Sequence, residues 1–140
     1  MADRRWEHFR HGSDIGVRGR GPTREAAFEE AARALIAVIT DPAHVRARET
    51  VSIHCSAPDD EILLVDWLNA LVYEMATRDM LFGEFAVGIA DGGLTGTAAG
   101  EAVDPARHSP AVEVKGATFT ELRVFSDSQA RWVAQCVVDV

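Results

Sequence analysis

The spacing of apolar residues changes repeatedly along this chain, and each change marks an element. Trp6 to Phe9 predicts a short strand, His11-Gly12-Ser13 a turn, and Ile15 to Arg18 a return to extended backbone. Gly19, Gly21 and Pro22 break that run. Thr23 is then placed to cap a helix, with Glu25 in the first turn, where a carboxylate suits the helix dipole. Phe28, Ala32, Leu35 and Ile39 follow at i, i+4, i+7 and i+11, one stripe of an amphipathic helix, and Asp41-Pro42 ends it. From Thr50 to Ser56 the period drops to two. Val51, Ile53 and Cys55 face one way and Thr50, Ser52, His54 and Ser56 the other, the pattern of a half-buried strand. Pro58-Asp59-Asp60-Glu61 opens a second helix, striped by Leu64, Leu68, Leu71 and Met75 and widened by Trp67 and Val72. After Asp79 the period of two returns. Phe85, Val87 and Ile89 share a face, Asp91-Gly92-Gly93 is a hairpin signal, and Leu94 to Ala102 makes a strand of small residues. Asp104 to Pro110 reads as a loop. Val112 to Phe125 and Ala130 to Val138 predict two strands around a Ser126-Asp127-Ser128 turn.

Strands in hairpin succession pair antiparallel, and two amphipathic helices can cover one face of the sheet they make. The pattern therefore predicts an α+β fold: a two-layer sandwich, with a mostly antiparallel mixed sheet and two helices packed on one face, as one domain over residues 1–140. The ending RWVAQCVVDV is apolar on both faces, so it predicts a central, buried strand.

Composition narrows the function classes. Hydrophobic residues are 47% and charged residues 26%, ordinary for a globular protein. Fourteen basic against 22 acidic residues give a net charge of −8, with a pI near 5.0. That balance argues against a protein that grips nucleic acid by its phosphates; Arg4, Arg5 and Arg10 make only a small basic cluster. Cys55 and Cys136 sit in apolar runs without a CxxC and read as core residues. No run is long enough to span a membrane and the start has no secretory apolar segment, so a cytoplasmic location and no membrane partner are expected.

Candidate chemistry gathers near the two ends. HFRHGSDIG places His8, His11 and Asp14 within seven residues. His8, beside Trp6 and Phe9 in a strand, reads as structural. Asp139 ends the last strand and Val140 adds a main-chain carboxylate beside it. Side-by-side carboxylates repel and ask for a cation; equally, Asp139 could lie solvated where the strand emerges. The four glycines from Gly12 to Gly21 do not make a phosphate-binding fingerprint, because no GxGxxG follows a strand and opens a helix. The Leu and Trp stripes of both helices read as core.

Five stretches together resemble the archease family: WEHFRHGSDIG, GPTREAAFEEAARAL, DDEILLVDWLNALVYE, AAGEAVDPARHSPAVEVKGATF and WVAQCVVDV. The likeness runs in order along essentially the whole chain. It implies a non-catalytic protein cofactor that activates a GTP-dependent RNA-splicing ligase by promoting guanylylation of the ligase's histidine and repeated turnover. RNA would then be met only indirectly, through that ligase, by a monomer or weak homo-oligomer. The resemblance also implies a metal site of Asp14, Asp139 and the Val140 carboxylate, with Lys115 nearby. Oxygen donors suit Ca²⁺ first, then Mg²⁺ or Mn²⁺. Lys115 could touch a phosphate or form a plain salt bridge. His11 is expected to orient Asp14, the other reading being a ligand through its imidazole, and Arg107 and His108 are candidates for contact with the ligase. Phe119 and Thr120 stand where family members carry a tyrosine-histidine pair. Two other readings remain: a stand-alone metal-dependent phosphoesterase with His11 as base, and a small chaperone-like binding module.

Overall fold

A computed structural model describes residues 4–140. Strand β1 (Arg5–His11) turns through Gly12-Ser13 into β2 (Asp14–Gly21), and Gly12 takes the positive φ, +60°, that this tight turn needs. Helix α1 (Arg24–Ile39) follows, capped by the Thr23 hydroxyl, which accepts a hydrogen bond from the Ala26 N–H at 3.0 Å. A short 3₁₀ turn (Pro42–His44) leads to β3 (Glu49–Ser56). Helix α2 (Asp60–Arg78) is capped by Asp59, and its acidic first turn matches the expectation. Strands β4 (Met80–Ala90) and β5 (Gly93–Ala102) form a hairpin with Asp91 and Gly92 at positive φ. A one-turn helix, α3 (Pro105–His108), interrupts the predicted loop. Then come β6 (Gly116–Ala117), β7 (Arg123–Ser126) and β8 (Trp132–Asp139).

The fold is α+β with antiparallel pairing, but the strands divide into two sheets where one was expected. The larger runs β1-β2-β8-β6, with β7 also on β8; the smaller runs β3-β5-β4. The physical reason lies in α1. Its stripe of Phe28, Ala32, Leu35 and Ile39 is buried, and so are Ala27, Ala31, Ala34 and Ile36 on its other sides. A helix buried nearly all round needs cover on more than one face. α1 takes it from β2 and β8 of one sheet and β4 of the other. Gly19 allows the close approach: a Cβ there would collide with the backbone of Ala27, Glu30 and Ala31.

Val112 to Phe125 is not one strand. Only the short β6 and β7 are assigned as strands, and the turn at Phe119–Leu122 separates them. β8 is central, as its two apolar faces predict: Val133, Ala134, Cys136, Val137 and Val138 are all buried. Cys136 is a core thiol, raised to about 12 by burial, while Cys55 is half-buried; both are free thiols. No helix is long and apolar enough to cross a membrane among the described residues.

Candidate functional site

Strand register brings the two ends of the sequence together. β2 pairs with β8 from Gly21↔Trp132 to Ile15↔Val138, so the next step sets Asp14 against Asp139. His11 faces Asp14 across β1, and Gly116 faces Asp139 across β6. The result is a row, His11–Asp14–Asp139–Gly116, crossing four strands at one end of the larger sheet. Residues directly opposite in adjacent strands have Cβ atoms about 4.5–5.5 Å apart, close enough for two carboxylates to share one ion. Asp14 is half-buried and Asp139 exposed. The Val140 side chain packs against the core, which tethers the main chain beyond Asp139.

The supports of this row come from far along the chain. Lys115 N–H donates to the Asp139 carbonyl at 2.8 Å. Asn69, on α2, accepts from the Ala117 N–H at 2.8 Å, fixing β6 beside Asp139. The Val137 carbonyl accepts from the Thr118 N–H and hydroxyl at 3.0 and 2.8 Å. Asn69 was missed as a site-related residue; its signal is an amide inside the apolar stretch DWLNAL of a buried helix.

Lys115 has no carboxylate within ion-pair range among the described residues, so the plain salt-bridge reading is not what the structure shows. The chain's single lysine lines an open apolar groove of about 410 Å³ with Ile39, Val72, Met75, Val112 and Val114, next to the carboxylate row. His11 is exposed at the head of the row. His8 is structural: its Nε2 lies 2.8 Å from the Ala34 carbonyl of α1. Phe119 is 67% exposed, and the Thr120 carbonyl accepts from the Val137 N–H.

Arg107 and His108 do not join this site. The His108 side chain is fully buried, so it cannot serve as a surface contact. Its Nδ1 accepts from the Asp104 N–H at 2.9 Å, which fixes the tautomer; Nε2 then donates to Glu101 at 2.9 Å. Arg107 grips the same carboxylate with two bonds of 2.7 Å, and the Arg46 N–H adds a third donor at 2.8 Å. These donors, Arg107 foremost, then Arg46 and His108, hold the Glu101 carboxyl well below the usual range. The cluster anchors α3 to β5 and belongs to the fold.

The two aspartates of the row supply oxygen donors, which fit a hard divalent cation. Among the described residues no three His, Cys, Asp or Glu side chains converge, so such an ion would rest on two aspartates, the main-chain carboxylate and water.

Comparison with known proteins bears on the chain as a whole. The model of the Archease protein family (MTH1598/TM1083) matches residues 6–140. A Pyrococcus furiosus protein named "Protein archease" is 39% identical over 141 residues, covering 98% of this chain and 99% of its own. The Methanopyrus kandleri "Protein archease" is 37% identical over 139 residues, covering 96% and 99%. Among solved structures, the solution structure of Methanobacterium thermoautotrophicum protein 1598 superposes with a TM-score of 0.83 at 34% identity, covering 96% of this chain and 98% of that one.

Proposed function

The chain belongs to the archease family, and on that premise we propose that it works as a protein activator rather than a catalyst: it binds a GTP-dependent RNA ligase and promotes guanylylation of the ligase's active-site histidine. The observation that carries this reading is the row of Asp14 and Asp139 on adjacent strands, with the Lys115 main-chain N–H bonded to the Asp139 carbonyl. Asp14, Asp139 and the Val140 carboxylate would hold one divalent ion, Ca²⁺ first and Mg²⁺ or Mn²⁺ otherwise. Bound there, the ion would supply positive charge to phosphate oxygens in nucleotidyl transfer. Few protein ligands leave the site open to a partner's groups. His11 would orient Asp14, and Lys115 would meet a phosphate. The apolar groove beside Lys115 offers the ligase surface to rest on.

The test is a guanylylation assay with a cognate ligase, labelled GTP and limiting amounts of this protein. Labelled ligase should rise with the native chain and not with Asp14→Ala or Asp139→Ala. No rise with the native chain would remove the reading. Hydrolysis of phosphoesters by the chain alone would favour a stand-alone phosphoesterase instead.

A further inference from the structure

The outward face of the larger sheet segregates charge against the acidic average of the chain. Two rows lie further along the sheet from the carboxylates. One runs Glu7–Arg18–Gln135–Arg123, the next Arg5–Arg20–Val133–Phe125. Four arginines therefore stand with one glutamate, a local excess of three positive charges on a molecule of net −8. Glu7 is shared by Arg20 at 2.7 Å and Arg18 at 3.6 Å, so it can neutralise only one of them. Arg5 and Arg123 are exposed. Two of the guanidinium groups lie over aromatic rings: Arg18 over Phe9 at 4.5 Å, and Arg123 over Phe125 at 4.3 Å. Arg18 is also held by Gln135, which accepts from its Nε–H at 2.8 Å, whereas the exposed Arg123 offers its N–H groups outward, the presentation that binds phosphate through paired hydrogen bonds.

We infer that this face docks the phosphate backbone of single-stranded RNA and leads it to the carboxylate row. The inference rests on the ligase reading for its choice of polyanion. An activator seated where phosphate ends are joined has RNA beside it, and the arginine row Glu7–Arg18–Gln135–Arg123 lies four residues along the same strands from Asp14 and Asp139, roughly 13 Å away. Like charge elsewhere on the molecule keeps the affinity low and the binding on this face.

Fluorescence anisotropy of a labelled oligouridylate tests it. Three phosphate contacts predict a log–log salt slope of about −2, so affinity should fall about fifteen-fold between about 50 and 200 mM salt. Arg5→Glu with Arg123→Glu should bind at least about tenfold more weakly, melt like the native chain, and still promote ligase guanylylation without RNA. Arg5→Gln with Arg123→Gln serves if the reversed charges disturb folding. Absence of RNA binding by the native chain at low salt, alongside normal guanylylation, would overturn the inference. So would a variant that keeps RNA binding, or one that loses guanylylation, which would make this a face for an acidic protein surface. RNA binding without guanylylation by the native chain would sink the ligase reading and leave this one standing.

Discussion

Trp67 depends on a residue that has no side chain. The indole N–H donates to the Phe28 carbonyl at 3.1 Å, and the ring meets Phe85 edge-on with centroids 6.2 Å apart. The ring can lie there only because position 96 is glycine: a Cβ at Gly96 would sit 2.8 Å from Trp67 Cζ3 and 3.2 Å from the Ala86 carbonyl oxygen. Gly96→Ala should therefore cost about 1–3 kcal/mol, read as a lower urea midpoint. Glu101 makes a prediction of another kind. Its folded carboxyl is held below the ordinary carboxylate value, so its stabilisation is present above pH ~4.3 and is lost as pH falls through the folded value. The gap in Tm between the native chain and Glu101→Gln should be widest near neutral pH and should narrow below about pH 4. A gap that stayed constant would mean that the carboxylate's charge contributes nothing. This cluster was not legible in the sequence. Arg46 and Glu101 lie 55 residues apart, and nothing local marks a carboxylate for burial. Arg107 and His108 looked like surface residues because their loop is polar.

The helices were legible because their apolar stripes and caps are local. Thr23, Asp59 and the Asp91-Gly92 turn stand where the residues place them. Thr23→Ala removes the acceptor for the Ala26 N–H and should cost about 1 kcal/mol in denaturant unfolding. What the stripe of α1 concealed was its second side. Alanines carry little periodic signal, so the burial of Ala27, Ala31 and Ala34 against Gly19 and its neighbours was invisible, and with it the division into two sheets. Between Val112 and Phe125 alternation overstated the strand. A side-chain amide from α2 and the hydroxyl of Thr118 supply part of the hydrogen bonding that a full ladder would have given.

At the scale of the molecule, average charge and local charge differ. A net of −8 coexists with an arginine-rich sheet face and a separate row of carboxylates. Continued one step past Ile15↔Val138, the register sets Asp14 beside Asp139 across 125 residues; the family resemblance implied that meeting, and nothing local in the sequence marks it. If the row holds a cation, Ca²⁺ at a hundredfold excess over its Kd should stabilise the native chain by about 2.7 kcal/mol and leave Asp14→Ala unmoved. Calorimetry with Ca²⁺ and Mn²⁺ gives the same comparison directly, and equal binding by both proteins would refute the site.

The strand that completes the larger sheet is also the last in chain order. β2 ends at Gly21, and its partner β8 begins at Trp132. A ribosome adding about 5–20 residues per second leaves the edge of β2 open for roughly 6–20 seconds. Through that interval β2 has only β1 beside it and the carboxylate row is not assembled, so ion-binding capacity and protection of that edge from mispairing arrive together, with β8.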